Sequence, residues 1–430
     1  MAECDESVTE RCGPMGLIPF STSREDTMLP SPLSRVARAR RIARRAVVAG
    51  AALAAVAGQL LAPTLADARG SGSSKPHTRD SVVTANPLPF TTRFEGDFHG
   101  GIKRISNSLM TCDETKPPVD PAQVSCLDAR KGLGPLPINN KYEMKYVNID
   151  PGSIGPLGDP IYSASSADLG LIDGSKVRYA RLYWGGTRGI GDTVLPESQI
   201  DEVYLKVPGE DQYRNIANDQ PSIGYITTTD ESSYQASADV TDLVKNAGNG
   251  TYTVANMDSV VKPHSWGGWT IVVVYENDCL PKRHLHVWDG FQVELPDSPE
   301  LTVDLPGLQT EQSGPPAAKM GWVVYDGDLK WTGDTLAVKS TNGPRTMFSD
   351  VNHPADNAFN STIEELNPAD AFTRNPTYRN NFGYDSDTWD VSPFLRDGDT
   401  DIKTIFDTTK NGYDIGVFYA WVNLDGSTDV

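Results

Sequence analysis

From residue 96 onward the chain is cut into short runs in which apolar residues alternate with polar ones or follow one another unbroken. Val177-Arg-Tyr-Ala-Arg-Leu-Tyr-Trp184 alternates and stops at Gly185-Gly186. Glu202-Val-Tyr-Leu-Lys-Val207 stops at Pro-Gly, Gly250-Thr-Tyr-Thr-Val-Ala255 alternates again, and Trp269-Thr-Ile-Val-Val-Val-Tyr275 is almost continuously apolar. β-Branched and aromatic runs bounded by Gly, Pro, Asn and Asp predict strands, and strands at this spacing predict sandwiches or jelly rolls. One helical run interrupts them, Asp239-Val-Thr-Asp-Leu-Val-Lys-Asn-Ala-Gly248. Thr241 is placed to cap its start and Gly248 to close its end, with Leu243 and Val244 pinning it across an open end of a sandwich.

The same grammar occurs twice. The first copy reads Tyr179–Trp184, Val203–Val207, Asp239-Val-Thr-Asp-Leu-Val244, Thr251–Ala255, Trp269–Tyr275 and a partner strand His284–Trp288. The second reads Gly321–Tyr325, Thr335–Val338, Asp390-Val-Ser-Pro-Phe-Leu395, Ile402–Phe406 and Gly416–Trp421. In each, an aromatic strand and a short strand precede Asp-Val-(Thr/Ser), and further strands follow. The expected fold is therefore all-β: two tandem sandwich or jelly-roll-like domains, 96–296 and 297–430, with a short capping helix.

Upstream the pattern changes. An arginine-rich stretch without acids, Arg35–Arg45, precedes an Ala/Gly/Val/Leu run from Ala46 to Leu65 and then Ala66-Asp67-Ala68. Positive, apolar and small-x-small regions in that order predict a secretory signal peptide over 1–68, cleaved after Ala68. The run is long enough to span a bilayer, but Gln59, Pro63 and its Ala/Gly content favour removal. Met28 is a candidate true start, which would exclude Cys4 and Cys12 from the mature protein. Arg44-Arg45 leaves both the general and the twin-arginine routes open. Residues 69–95, rich in Ser, Gly, Pro and Thr, read as a linker.

Charge narrows the partners. The formal net charge is −19, which repels nucleic acid and anionic membrane and suits extracellular solubility or cation binding. No second apolar segment follows residue 68, so no membrane contact is expected after signal cleavage. In an oxidising compartment Cys112 and Cys126, flanking a Pro-rich loop, are expected to pair. Cys279 is left over, either buried and inert or free.

Candidate chemistry is sparse. Tyr384-Asp-Ser-Asp-Thr-Trp-Asp390 and Arg396-Asp-Gly-Asp-Thr-Asp401 place Asp385, Asp387, Asp390, Asp397, Asp399 and Asp401 at spacings that let loop oxygens converge on Ca²⁺. The same strings also read as ordinary turn chemistry. His284-x-His286 on a strand presents both imidazoles to one side, and His264 or Asp289 would complete a metal site. The alternative is two solvent-facing imidazoles beside Lys282 and Arg283. Trp266, in the turn His264-Ser-Trp-Gly-Gly268, is a candidate sugar-stacking platform with His264 beside it, although burial is the default for tryptophan. Asn352–Ile363 reads as a loop locked by Asp356, Asn357 and Asn360. No Gly-x-Ser-x-Gly, His-Glu-x-x-His or phosphate loop is present. Paired carboxylates of a glycoside hydrolase leave no linear pattern.

Several strings, in order, resemble a known family: Asn107–Cys112, Asn139-Asn140, Met144–Asp150, Ser165–Leu169, Ala180–Gly186, Asp239-Val-Thr, Gly250–Asn256, Gly268–Glu276, Asp289-Gly-Phe291, Asp334-Thr-Leu, Asn357–Ile363 and Phe382-Gly-Tyr-Asp385. Together they are similar to the head region of secreted actinobacterial surface proteins that usually precedes immunoglobulin-like conserved-repeat domains. The resemblance covers most of 95–424. It implies a surface role and assigns no catalytic residue, since no biochemical role is established for the family. The repeats and wall anchor that usually follow are missing, which implies a freely secreted or non-covalently attached form. The expected function is a secreted, non-enzymatic surface or matrix module binding extracellular glycan or protein through its loops. The rivals are a secreted polysaccharide hydrolase with paired carboxylates and a structural coat protein.

Overall fold

A computed structural model describes Val82 and residues 84–220, 223–308, 310, 316–365 and 371–424. The expected signal peptide and most of the expected linker lie outside these residues. Residues 84–294 form β1 (Thr84–Asn86), β2 (Leu88–Ser108), β3 (Met110–Cys112), β4 (Met144–Tyr146), β5 (Ala164–Leu169), β6 (Lys176–Ile190), β7 (Thr193–Val194), β8 (Glu202–Lys206), β9 (Arg214–Ala217), β10 (Gly224–Thr227), β11 (Glu231–Asp239), β12 (Gly250–Ala255), β13 (Gly267–Glu276) and β14 (Lys282–Glu294). The remainder forms β15 (Leu301–Pro306), β16 (Ala318–Tyr325), β17 (Asp334–Ser340), β18 (Thr346–Met347), β19 (Ile363–Glu365), β20 (Arg374–Asn375), β21 (Tyr384–Asp390), β22 (Asp401–Thr408) and β23 (Tyr413–Asn423). Among the described residues three short α-helices, α1 (Cys126–Ala129), α2 (Glu197–Ile200) and α3 (Thr241–Ala247), are interspersed. None of the described helices is long and apolar enough to cross a membrane.

The fold is all-β and sandwich-like, and its topology carries the double grammar. In the first half β11-β6-β13-β2 lie side by side, with β5-β12-β8 in a separate sheet. In the second half the corresponding order is β21-β16-β23-β14, with β15-β22-β17 separate. Each small sheet shares a core with its large one: Trp184, Trp269 and Val254 in the first half, Trp322, Phe406 and Phe418 in the second. A third core, with Tyr183, Val272 and Val274 facing Tyr325, Tyr384 and Tyr419, packs the two large sheets against each other. The result is four layers.

Layer position explains the hydrophobic patterns. β13 is apolar at successive positions because Trp269, Ile271 and Val273 face one core while Val272 and Val274 face another. β15, in an outer sheet, alternates buried Val303 and Leu305 with exposed Thr302 and Asp304. The two large sheets are joined through β2, which pairs with β14 over Leu88–His99 and with β13 over Gly100–Ser108. The changeover falls at Gly100, where a Cβ would lie 2.2 Å from the Tyr275 carbonyl oxygen. No side chain fits there.

Two expectations need correction. Residues 84–95, read as linker, are strand, because alternating Leu88, Phe90 and Phe94 dock on the β14 edge. Thr241 does not cap α3 but is its first residue. Asp239 Oδ1 accepts the Thr241 amide (2.8 Å), and the Thr241 hydroxyl bonds the Ala180 backbone of β6. Cys279, whose burial the sequence left open, is exposed in the β13–β14 turn. Cys112 and Cys126 form the expected disulfide, both sulfurs lying in a small core with Tyr142 and Phe382.

The bond closes a loop of sequence separation 14, for which the chain-entropy model gives about 3 kcal/mol. Replacing both cysteines by serine should lower the denaturation free energy by about that amount. Parallel urea titrations of the two proteins check it, and an unchanged midpoint would refute it.

Candidate functional site

The chemically unusual part of the molecule is a set of carboxylates withdrawn from water at the ends of the large sheets. β16 runs out at Tyr325 into Asp326-Gly327-Asp328, whose first residue is left-handed (φ 61°). Asp326 is held there because its amide donates to the Gly383 carbonyl (2.7 Å) and its Oδ1 accepts from Asn139 Nδ2 (3.2 Å). Glu231 at the start of β11 and His264 just before β13 reach the same place. His264 Nε2 stands 3.9 Å from Glu231 and 3.8 Å from Asp326. Asp328 beyond β16, Asp334 at the start of β17 and Asp385 on β21 lie near enough to act on one another electrostatically, each no more than 2% exposed.

Their electrostatics follow from burial among like charges. Desolvation, then Asp326, drives Glu231 well above the ordinary carboxylate range. Burial raises Asp328 and Asp334 too, and the neighbouring aspartates add to the rise. For the buried pair Asp385 and Asp387 burial likewise raises both. Desolvation opposes the charge on His264, but Glu231 and Asp326 outweigh it and hold the imidazole up at about 10. His264 is therefore the cation of the cluster, facing several acids.

Part of the acid charge is spent on locking loops. Asp385 Oδ1 accepts the amides of Asn360 (2.8 Å) and Thr362 (3.1 Å), and Asp387 Oδ1 accepts that of Glu364 (2.8 Å). His353, held up at about 9 by Asp350 and Asp387 against the opposing effect of burial, bonds Asp350 (3.0 Å) and Thr362 (3.2 Å). The Asn357 amide, turned to satisfy its neighbours, donates to the carbonyls of Asp328 (3.3 Å) and Trp331 (3.2 Å). This is the loop-locking role expected of Asn357 and Asn360. The other part is unspent: Asp328 Oδ1, both oxygens of Asp334, Asp385 Oδ2 and Glu231 Oε2 are buried without a hydrogen-bond partner.

The acids singled out from sequence are not one ligand set. Asp385 and Asp387 are strand residues facing a core, not loop residues, because β21 is clamped between β16 and β19. Asp390 is exposed and accepts the Ser392 amide (2.9 Å), turning the chain into the Ser392–Phe394 3-10 turn. Asp399 uses both oxygens on the amides of Asn342 (2.7 Å) and Arg396 (2.6 Å). Asp397 is exposed, and Asp401 accepts the Thr400 hydroxyl (2.8 Å). Trp266 is fully buried rather than a sugar platform. It stacks on Tyr325 with ring centroids 4.9 Å apart, and Gly383 closes over it. Of the sequence-derived candidates, His264 meets Glu231 and Asp326, whose ligand atoms lie within 4.8 Å of one another and of its own. Glu231, Asp326, Asp328 and Asp334 were not singled out as candidates, although Asp326-Gly-Asp328 has the same alternate spacing as the strings that drew attention.

A cavity of about 360 Å³, bordered by Leu171–Val177, Lys245, Gly248 and Asn249, shares no residue with the acidic cluster.

No family model and no curated protein matches the chain. Among solved structures it is similar to a chain of the Sulfolobus Turreted Icosahedral Virus (11% identity, TM-score 0.21, 59% of this chain and 86% of that one). It is also similar to the major capsid protein P2 of bacteriophage PM2 (14%, TM-score 0.17, 62% and 100%). Recombinant peptide:N-glycanase F is a third (10%, TM-score 0.18, 66% and 95%). Likenesses this low carry no argument about the chain.

Asp414, beside Asp326, isolates the cost of burying charge. Burial pushes its carboxyl from an ordinary 3.8 to about 8, against a hydrogen bond from Ser233. The folded state thus keeps a proton that the unfolded state releases, and this contribution to stability is full below the ordinary value and lost as pH rises toward 8. Asp414→Asn should raise the denaturation midpoint more at about pH 8 than at about pH 4. Equal shifts at both would contradict the assignment.

Proposed function

We propose that this protein is an extracellular, non-enzymatic surface or matrix module whose loop-bearing sandwiches are stiffened by a buried Ca²⁺. The observation that carries the reading is the enclosure of its perturbed acids: Asp328, Asp334 and Asp385 are at most 2% exposed and turn unpartnered oxygens inward. An acid–base hydrolase must bring its raised-pKa carboxyl to the substrate. Carboxylates sealed between layers cannot touch a polymer, but they suit a hard cation that takes roughly six to eight oxygens. Burial among like groups favours the protonated form of these carboxyls, and a bound cation would take the place of those protons.

The remaining terms of the proposal fit this picture. The Cys112–Cys126 bond suits an oxidising compartment. Strings that resemble the actinobacterial head region, including Asn139, Asp334, Asn357–Ile363 and Phe382–Asp385, gather round the cluster, which supports reading it as a structural centre. Glycan or protein would then be met by exposed loops rather than by the acids. A structural coat role uses the same stiffened scaffold with a second copy as partner.

The test is thermal unfolding of the protein in Ca²⁺ and in chelator. Ca²⁺ should stabilise by about 2.7 kcal/mol at a hundredfold excess over Kd, and Asp334→Asn should abolish the response. Absence of a Ca²⁺ response would reject the cation. Release of reducing ends from a polysaccharide panel would reject the non-enzymatic reading and favour the hydrolase.

A further inference from the structure

Away from the acidic cluster, the seam between β2 and β14 carries a second constellation. The antiparallel register sets Asp97 opposite His284 and Glu95 opposite His286. All four therefore project from the same face of the pair. His284 and His286 are 2% and 1% exposed, so the expected solvent-facing imidazoles are buried, and neither His264 nor Asp289 is the third ligand. Glu95 takes that place. The ligand atoms of Glu95, His284 and His286 lie within 4.8 Å of one another.

Each imidazole has one nitrogen engaged and one unpartnered. His284 Nδ1 is 2.6 Å from Asp97 Oδ1. A carboxylate only accepts, so the proton sits on Nδ1 and the Nε2 lone pair is left bare. His286 Nε2 is 2.8 Å from Thr92 Oγ1, and donation to this hydroxyl leaves Nδ1 bare. His284 Nε2 and His286 Nδ1 are the nitrogens that are buried without a hydrogen-bond partner. An unpaired buried nitrogen is costly, and here two occur side by side next to a carboxylate. The His286 ring is fixed by stacking on Trp288, centroids 3.8 Å apart and planes 13° apart.

We propose that Glu95, His284 and His286 bind a divalent zinc ion, with a fourth position open to water or an oxygen ligand. Two imidazoles and one carboxylate are a recognised donor set for zinc with an open site, at about 2.0–2.2 Å per bond. Tetrahedral zinc sets its ligand atoms about 3.5 Å apart, so the three need only draw together slightly. Asp97 and Thr92 are positioning residues. They hold the tautomers by hydrogen bonds from the far side of each ring, the arrangement that orients metal-bound histidines. Gly307, at the turn after β15, lies over the site: a Cβ there would be 3.4 Å from His286 Nδ1 and 3.6 Å from Glu95 Oε1. The space beside both donors is thus kept clear. Because Glu95 belongs to β2 and the histidines to β14, zinc would clip together the strands that join the two large sheets.

The experiment uses the full chain stripped with chelator and dialysed into metal-free buffer. Zn²⁺ alone is then titrated by calorimetry, and bound metal is measured after gel filtration. One zinc per chain is expected, and Co²⁺ in its place should give the visible spectrum of a four-coordinate site. Glu95→Gln, at an exposed strand position that leaves the core intact, should weaken zinc binding by about a hundredfold, as should His286→Ala. Asp97→Asn should weaken it about ten- to hundredfold and still yield the cobalt spectrum at saturation. Thermal unfolding in chelator confirms that each variant is folded. Asp334→Asn should leave zinc stoichiometry unchanged, which separates this site from the Ca²⁺ reading. Zinc binding below one per chain in the parent protein, or undiminished in both Glu95→Gln and His286→Ala, would overturn the proposal.

Discussion

The two large sheets pack face to face, so the central strands are buried along most of their length. Nearly every residue on β13, β16 and β23 must then be matched by a neighbour from another layer. Tyr183, Val272, Tyr325 and Tyr419 supply apolar contact at the centre of the interface. Polar groups trapped in the same layers must find partners in the protein. Arg104, 1% exposed, does so by bonding Ser106 and the Glu364 carbonyl and by standing 3.5 Å from Glu365. Gln235 does so by donating to Gly290 O (2.8 Å) and accepting from the Tyr325 hydroxyl (2.6 Å). Satisfied networks of this kind fix the relative register of the layers, because a shifted sheet would leave buried groups unpaired.

Against that background the unsatisfied groups stand out. Two groups of them bring several electron-pair donors together: Asp328 and Asp334 beyond β16, and the two imidazoles where β2 and β14 meet. Both places are rich in atoms that can donate an electron pair to a cation. Where several such atoms of acids or imidazoles come together, a bound cation would complete them. The two sites differ in kind. One is mainly carboxylate oxygen, with the His264 imidazole beside it, and suits a hard ion, and the other is mostly nitrogen and suits zinc.

The doubled topology gives this a further meaning. Each half contributes four adjacent strands to a large sheet and three to an outer one, in matching order. The halves are not interchangeable at their sites, however. The β21–β19 edge, with the Asn357–Ile363 loop packed on it, holds Asp385 and Asp387. At the corresponding β11 edge, β10 and β1 continue the sheet. Divergence is concentrated in what covers the edges, while the shared strands keep their order.

Much was legible in the chain. Period-two alternation and continuous apolar runs marked the strands, because side chains on a pleated backbone alternate faces whatever lies beyond them. The repeated Asp-Val-(Thr/Ser) signature marked equivalent turns, and a short Pro-rich loop between Cys112 and Cys126 was enough to indicate their pairing. The sequence by itself thus determined the all-β class, the doubled strand order and the covalent link, since these depend on local geometry or short separations. Only the tertiary structure decided which acids are enclosed and which nitrogens meet a carboxylate. Alternation tells which residues share a face but not which layer will cover it. Whether Trp266 was a platform or a core residue was decided by Gly383 and Tyr325 closing over it, and His284 acquired Asp97 from 187 residues away. Such encounters are set by long-range register between strands, which no local pattern encodes.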